Sequence, residues 1–419
     1  MVFVKIGDLK IDTTLAIATI DLAKDKNTVY VRHVQGKELK GIKFGHNRIG
    51  YQQMYEKVMK FAKDQGASTV VFGIESTSVY GIPLSHFLMN KPVKLVLINP
   101  LHTKRAKEIN DNSPGKNDQK DPEVMADILQ LGRYLTAVIP EGTIADLRNL
   151  IHARERAIQQ LNILRNQMHD LIFLVFPEFI SIIKNITSKT SLQLLKNEFF
   201  ITGIVALGKE GLSDKIAEYS RGRMRQNKAE PLYEAALTSI GVHHGHSSIE
   251  CEIKHLVVEF EHTQKYITET ENKIKEHLST VPYSKYLLSI PRLGVITVAG
   301  IIGELADFPN FETVGEVMKF AGLNLYEVSS GKNKSTCRIS KRGRPLLRKF
   351  LYYAALNMIR TGGIFRTMYK EYVAQQRMKH PEAIVAIARK LLRIMMALVR
   401  KQCNYDFNFS ASSKVLKAA

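Results

Sequence analysis

Four carboxylates in the first third of the chain have the types and spacing that metal-assisted phosphodiester chemistry requires. Asp21 closes the apolar run Ala18-Thr19-Ile20-Asp21, and Glu75 closes Val70-Val71-Phe72-Gly73-Ile74-Glu75. Asp118 and Asp121 stand three apart in Lys116-Asn117-Asp118-Gln119-Lys120-Asp121. Mg²⁺ takes hard oxygen ligands and must also hold the scissile phosphate, so such a centre needs several carboxylates converging from different elements. Two acids at strand ends and two sharing one face at the start of a helix meet that need. Taken singly, each has a plainer role: Asp21 can begin a turn, and Glu75, Asp118 or Asp121 can cap a helix. Asp111, Glu123 and Asp127 compete for a place in the set. Asp127, a turn and a half beyond Asp121, can replace or support one of the pair.

A second candidate lies in the last third, where Ser329 and Ser330 precede Gly331 and eight Lys and Arg residues stand between 332 and 349. A hydroxyl beside a glycine amid such charge suits a serine that attacks a backbone phosphate. The cations neutralise the phosphate and can stabilise its pentavalent transition state. The alternative is a basic loop that only grips DNA, through Lys332, Lys334, Arg338, Lys341, Arg342, Arg344 and Arg348, with both serines as filler.

These residues need a scaffold, and the apolar pattern supplies one. Residues 15–21, 28–33 and 38–44 alternate as a strand meander. A helical pattern around Met54, Val58 and Phe61, the run 69–74, a helix-like segment and the run 93–98 then follow as a βα alternation. The expected product is an α/β domain over residues 1–140 with the element order of the ribonuclease H-like fold. Apolar residues at three- and four-residue spacing from Leu147 to Ile172, and again from Ile253 to Leu278, predict two long helices that pair antiparallel, as a coiled-coil region, or meet in a dimer. The alternative is two helices of an ordinary bundle. This region, 141–282, carries an insertion at about 180–248, whose patch Val242-His243-His244-Gly245-His246 lacks a third metal ligand at any defined spacing. A mostly helical domain is expected over 283–405, with a tail at 406–419. It opens with Ile290-Pro291-Arg292-Leu293-Gly294, either a helix-hairpin-helix turn whose amides meet a phosphate or a plain helix-helix turn.

The chain has 419 residues, 45% of them hydrophobic, so it can bury a core and divide into two or three domains, and a disordered chain is excluded. Lys and Arg number 60 against 40 acidic residues, a formal charge of +20, which favours a polyanionic partner, nucleic acid first. No apolar run of about 18 residues and no signal-peptide pattern stands out, so no membrane partner is expected and the cytoplasm is the expected place. The cysteines Cys251, Cys337 and Cys403 lie far apart, which suggests neither a disulfide framework nor a structural zinc.

With these residues in view, the chain resembles the DEDD-type insertion-sequence transposases related to pilin-gene invertases, also described as bridge-RNA-guided recombinases. The resemblance spans nearly the whole chain. It rests on Ile20-Asp21 with Lys24, Glu75 with Thr77 and Tyr80, Lys116 with Asp118 and Asp121, and Ile290-Pro291 with Gly294. It continues in Ala321-Gly322-Leu323, Ser330-Gly331, and Ile339-Ser340-Lys341 with Gly343 and Leu347-Arg348. It implies that Asp21, Glu75, Asp118 and Asp121 bind Mg²⁺ in a RuvC-like domain. It further implies that Ser330, with Ser329 as the neighbouring alternative, forms a covalent phosphoserine link to DNA in a C-terminal transposase domain. Further implications are a structured noncoding guide RNA that pairs with element-end and target DNA, a homodimer or tetramer, and a place at the bacterial or archaeal nucleoid. Three departures stand out: Asn117 where Thr or Ser is usual, Lys332 where a second glycine is frequent, and a longer chain through 180–248. Two rival functions accompany this expectation: a metal-dependent RuvC-like nuclease or junction resolvase whose serine loop only binds DNA, and a non-catalytic nucleic-acid-binding protein.

Overall fold

The computed structural model describes residues 9–25, 27–75, 79–111, 120–197, 201–223, 226–242, 244–328 and 336–406. Asp118, Ser329, Ser330, Lys332 and Lys334 lie outside them. The chain forms two compact units, Met1–Ile139 and Pro140–Ala419.

The first unit is built on a mixed sheet. Strands β1 (Leu15–Asp21), β2 (Asn27–His33) and β3 (Glu38–Phe44) form an antiparallel meander, followed by α1 (Arg48–Asp64), β4 (Thr69–Glu75), α2 (Gly81–Met89), β5 (Lys94–Ile98), α3 (Pro100–Asp111) and α4 (Lys120–Gln130). The two-residue strand β6 (Leu135–Thr136) closes one edge, and the order across the sheet is β3-β2-β1-β4-β5-β6. β4 pairs parallel to β1 and to β5. Parallel pairing demands a covered sheet on both faces, and each face has its own apolar cluster. Ala16, Ala18, Ile20, Phe72 and Ile74 pack with Met54, Val58, Leu84 and Leu88 of α1 and α2. Leu15, Ile17, Val71 and Ile98 pack with Val124, Met125, Ile128 and Leu129 of α4. The burial of β1 on both faces explains why its sequence reads apolar almost throughout.

The second unit is helical apart from one hairpin among the described residues. Two helices of 34 residues, α5 (Gly142–Val175) and α10 (His246–Ser279), run antiparallel against each other. Leu147 and Ile151 near the start of α5 share a cluster with Ile274 and Leu278 near the end of α10. Met168 and Ile172 share another with Ile253 and Phe260. Between them α6 (Pro177–Ile182), α7 (Lys189–Asn197), α8 (Ile201–Ser220) and α9 (Gln226–Leu237) pack onto that second cluster. The pairing is therefore within the chain, and the region near 180–248 is a helical layer that covers one end of the pair. His244 is exposed, His246 hydrogen-bonds the Val242 carbonyl, and His243 lies outside the described residues.

The other end carries α11 (Ser284–Leu288), α12 (Val295–Leu305), α13 (Val314–Ala321), strands β7 (Leu325–Val328) and β8 (Thr336–Ile339), and α14 (Pro345–Thr361), α15 (Gly363–Ala374) and α16 (His380–Lys401). From Val298 to Leu305 every residue of α12 is buried, so it forms the centre of this end. No helix among the described residues is long and apolar enough to cross a membrane.

Candidate functional site

The acids at the strand ends are positioned by register. Ile20 of β1 lies opposite Ile74 of β4, so Asp21 and Glu75 come next as neighbours at the C-terminal ends of two parallel strands. Alternate residues of a strand face one side. Thr19 faces α4, where its hydroxyl donates to the Pro122 carbonyl at 2.5 Å, and Asp21, two residues on, shares that side. On β4, a Cβ added to Gly73 would lie 2.9 Å from Leu129 Cδ1 of α4 and 3.2 Å from Thr19 Cγ2. Glu75 therefore leaves on the same side. Asp121 immediately precedes Pro122, in the first turn of α4, where the helix dipole favours a carboxylate. Register, pleat and one buried hydrogen bond thus direct three of the four expected acids to one side of one end of the sheet.

Lys107 of α3 pairs with Asp121, which the spacing did not foretell, because the contact depends on how α3 meets α4. Of the competing acids, Glu123 pairs with Lys40 at 2.7 Å and Asp127 with Arg32. Both are thereby engaged by β2 and β3 rather than by the strand ends. Carboxylate oxygens suit a hard divalent cation. Among the described residues, however, no three His, Cys, Asp or Glu side chains form a group able to hold one ion.

The serine segment is reached through the β7–β8 hairpin, whose register sets Val328 opposite Thr336 and Leu325 opposite Ile339. Residues 329–335 join the two strands in sequence and lie outside the described residues. The base of the hairpin is a close backbone crossing. Ser340 donates its amide to the Asn324 carbonyl at 2.9 Å, Lys341 to Gly322 at 3.0 Å and Arg344 to Phe320 at 3.2 Å. The crossing needs two glycines. Gly322 caps α13 at φ +69°, and a Cβ on Gly343 would lie 2.4 Å from the Phe320 oxygen and 2.5 Å from the Gly322 nitrogen.

Arg338, Lys341 and Arg342 are exposed around this base. Arg344 and Arg348 are engaged in the fold instead. Arg348 donates to the Ala321 carbonyl at 3.0 Å, and Arg344 lies over the Phe320 ring, 5.3 Å from its centroid, with Nη1 3.5 Å from Glu304. Glu304 is the residue that sequence reasoning missed. It is 2% exposed, on α12. Beside it, Gly303 lets α12 approach the α5 backbone, since a Cβ there would lie 3.1 Å from Arg148 Cα. Arg148 and His152, four apart on one face of α5, both reach Glu304, His152 Nε2 at 2.7 Å. Burial pushes the Glu304 carboxyl up, but His152, Arg344 and Arg148 outweigh it and hold it below the usual range. Burial also pushes Arg148 down to about 10. An acid inside an apolar helix is the only signal the sequence carries for this network. At the turn before α12, Arg292 adopts φ 62° and lines, with Asn357, Arg360 and Thr361, a hollow of about 430 Å³.

Two regions of the chain match known families. A family model described as a transposase, of the IS110 DEDD type, matches residues 18–177. A second, described as the transposase IS116/IS110/IS902 family, matches residues 284–370, and together they cover more than half of the chain. The chain belongs to the IS110 family of transposases. In this IS110-family chain the first match contains Asp21, Glu75, Asp118 and Asp121, and the second contains the hairpin and Ser330. Among its relatives, the insertion element IS110 uncharacterized 43.6 kDa protein of Streptomyces coelicolor is 23% identical over 189 residues, 45% of this chain and 46% of that protein. The insertion element IS900 uncharacterized 42 kDa protein of Mycobacterium paratuberculosis is 26% identical over 199 residues, 46% of this chain and 49% of that protein. The transposase for insertion sequence element IS1328 of Yersinia enterocolitica is 31% identical over 130 residues, 30% of this chain and 39% of that protein. The chain spans less than half the length of the curated relatives it matches.

Proposed function

We propose that this IS110-family chain is a DNA transposase and site-specific recombinase, of the branch related to pilin-gene invertases, with an RNase H-like first unit. The Ser330 hydroxyl oxygen attacks a DNA phosphate and the bond to the outgoing strand breaks. One strand is then held as a phosphoserine link and the other leaves with a free hydroxyl. Rejoining is the reverse, with the hydroxyl of another strand displacing the serine. Asp21, Glu75, Asp118 and Asp121 hold Mg²⁺, which when bound polarises the phosphate oxygens. Lys332, Lys334, Arg338, Lys341 and Arg342 offset the phosphate charge. A noncoding guide RNA selects the element-end and target DNA, and a homodimer or tetramer in the cytoplasm, at the nucleoid, brings two strands together.

One observation carries the reading: β1 and β4, in register, end in Asp21 and Glu75 on the side where Thr19 fixes the start of α4 beside Asp121. The test uses the purified protein with its element-end DNA, the flanking noncoding RNA and Mg²⁺ on a denaturing gel. A protein–DNA adduct is expected with wild type and with neither Ser330→Ala nor Asp21→Asn. Cleavage by Ser330→Ala without an adduct identifies a metal-only nuclease. Salt-sensitive binding with no strand cleavage identifies a non-catalytic nucleic-acid-binding protein.

A further inference from the structure

Two residues of the sequence motifs have no task in the proposal above: Lys24, three after Asp21, and Tyr80, five after Glu75. They line one cleft. It has a volume of about 650 Å³ and opens where the chain leaves β1, enters α1 and enters α2, within the size range of pockets that hold small ligands. Its walls are aromatic. The rings of His46 and Tyr80 lie 5.7 Å apart, inclined by 38°, and Tyr51 lies 5.6 Å from Phe87. His46 cannot turn freely, because Nε2 bonds the Ala23 carbonyl and Nδ1 the Tyr51 hydroxyl, each at 2.8 Å. Cations stand at the rim, where Lys24 and Arg48 are both exposed lining residues. Val79 is 68% and Tyr80 38% exposed, so apolar surface faces solvent here.

Flat aromatic faces with cations at the rim match one kind of group: an unstacked base carried on a phosphate backbone. An uncharged apolar ligand would leave Lys24 and Arg48 unused, and a base inside a duplex is already stacked on its neighbours. We infer that this cleft holds one unstacked nucleotide of a single DNA strand, its base against Tyr80 and His46 and its flanking phosphates by Lys24 and Arg48. The inference rests on the proposal that this unit handles DNA. DNA is the strand concerned because Lys24 and Tyr80 lie three and five residues beyond Asp21 and Glu75, at the same end of the sheet though on its α1–α2 face, so a strand worked at the acids passes close to the cleft.

The experiment measures binding alone, so it does not depend on cleavage. The full-length protein is titrated into a fluorescein-labelled eight-nucleotide single-stranded DNA with a central 5-iodouracil, then irradiated, and the crosslinked residue is read by mass spectrometry. The crosslink is expected on His46, Tyr51 or Tyr80. Tyr80→Ala, with its thermal melting unchanged, is expected to bind roughly tenfold more weakly, the size of one lost stacking contact, and Tyr80→Phe to bind like wild type. Wild-type binding that Tyr80→Ala leaves unchanged, with crosslinks elsewhere, overturns the cleft but not the transposase proposal. Absence of binding by wild type overturns the cleft as well, whereas the transposase proposal fails only if element-end DNA with guide RNA and Mg²⁺ gives no protein–DNA adduct. An RNA of the same sequence that binds more tightly and crosslinks at the same residues overturns the assignment to DNA.

Discussion

At the end of the sheet, Asp21 and Glu75 are positioned by regular pairing, since two parallel strands in register end together and the pleat turns both acids toward α4. At the base of the β7–β8 hairpin, by contrast, position comes from irregular contacts. Two glycines let backbone cross backbone, and a buried acid on α12 anchors Arg344 next to the crossing. A site built on register tolerates changes in its neighbours, because many backbone hydrogen bonds define it. A site built on a few close contacts depends on each of them. The expected consequences differ accordingly: substitutions at the strand ends alter chemistry and leave the fold, whereas substitutions beneath the hairpin alter stability and chemistry together.

The largest expected effect is at the strand ends. Asp21→Asn or Glu75→Gln should each lower the rate of Mg²⁺-dependent strand cleavage by about a hundredfold or more, several kcal/mol of transition-state charge stabilisation, while thermal melting stays within a degree or two of wild type. A variant that unfolds instead would erase the contrast between the two sites.

Next is Glu304→Ala, which leaves Arg148 and Arg344 without their carboxylate. Removal of one partner from a buried ionic group costs about 3–5 kcal/mol, to be read by urea unfolding. The same residue sets a pH dependence. Its carboxyl is held below the usual range in the folded unit, so its contribution is present above the unfolded value, near 4.5, and is lost as pH falls through the folded value. Stability measured from pH 7 to pH 3 should therefore fall more steeply for wild type than for Glu304→Gln, and equal slopes would remove Glu304 from the account.

Gly343→Ala should follow, because the added Cβ meets only backbone atoms and the crossing has to open. A cost of about 1–3 kcal/mol is expected, as for overpacking elsewhere, with loss of the DNA adduct exceeding loss of stability. The smallest effect belongs to Thr19→Val. It removes the Thr19 hydrogen bond to the Pro122 carbonyl, worth about 1 kcal/mol, and should slow cleavage through a displaced Asp121 while the sheet remains intact. An unchanged rate would show that α4 is held beside the strand ends by its apolar face alone.

The elements of the first unit and the two long helices of the second were legible in the sequence because local pattern and tertiary placement agree there. The meander, the runs ending in Ile74 and Ile98, and the long helices around Leu147–Ile172 and Ile253–Leu278 all appear where periodicity placed them. Helix starts were less legible: α12 begins at Val295, directly after the Ile290–Gly294 turn, and Gly294 caps it without a side-chain signal. That Asp21 and Glu75 end neighbouring strands could be suspected from the sequence, but that both face the side where α4 starts follows from register, which a single sequence does not show. Arg344 and Arg348 looked like free cations in a basic run, yet Glu304 and the Ala321 carbonyl lie within reach only after α12, α13 and α14 pack. The same holds for Lys107 with Asp121 and for the aromatic cleft, whose residues come from three separate segments.

The proposed reaction has a serine of the hairpin segment carry the DNA while the acids at the strand ends serve the same step. Trapping it with element-end DNA, guide RNA and Mg²⁺, digesting the protein and locating the attached nucleotide by mass spectrometry decides it. A nucleotide is expected on the peptide containing Ser330, at Ser330 itself, and none when Asp21 is replaced by Asn. Cut DNA with no nucleotide on any serine peptide would contradict it.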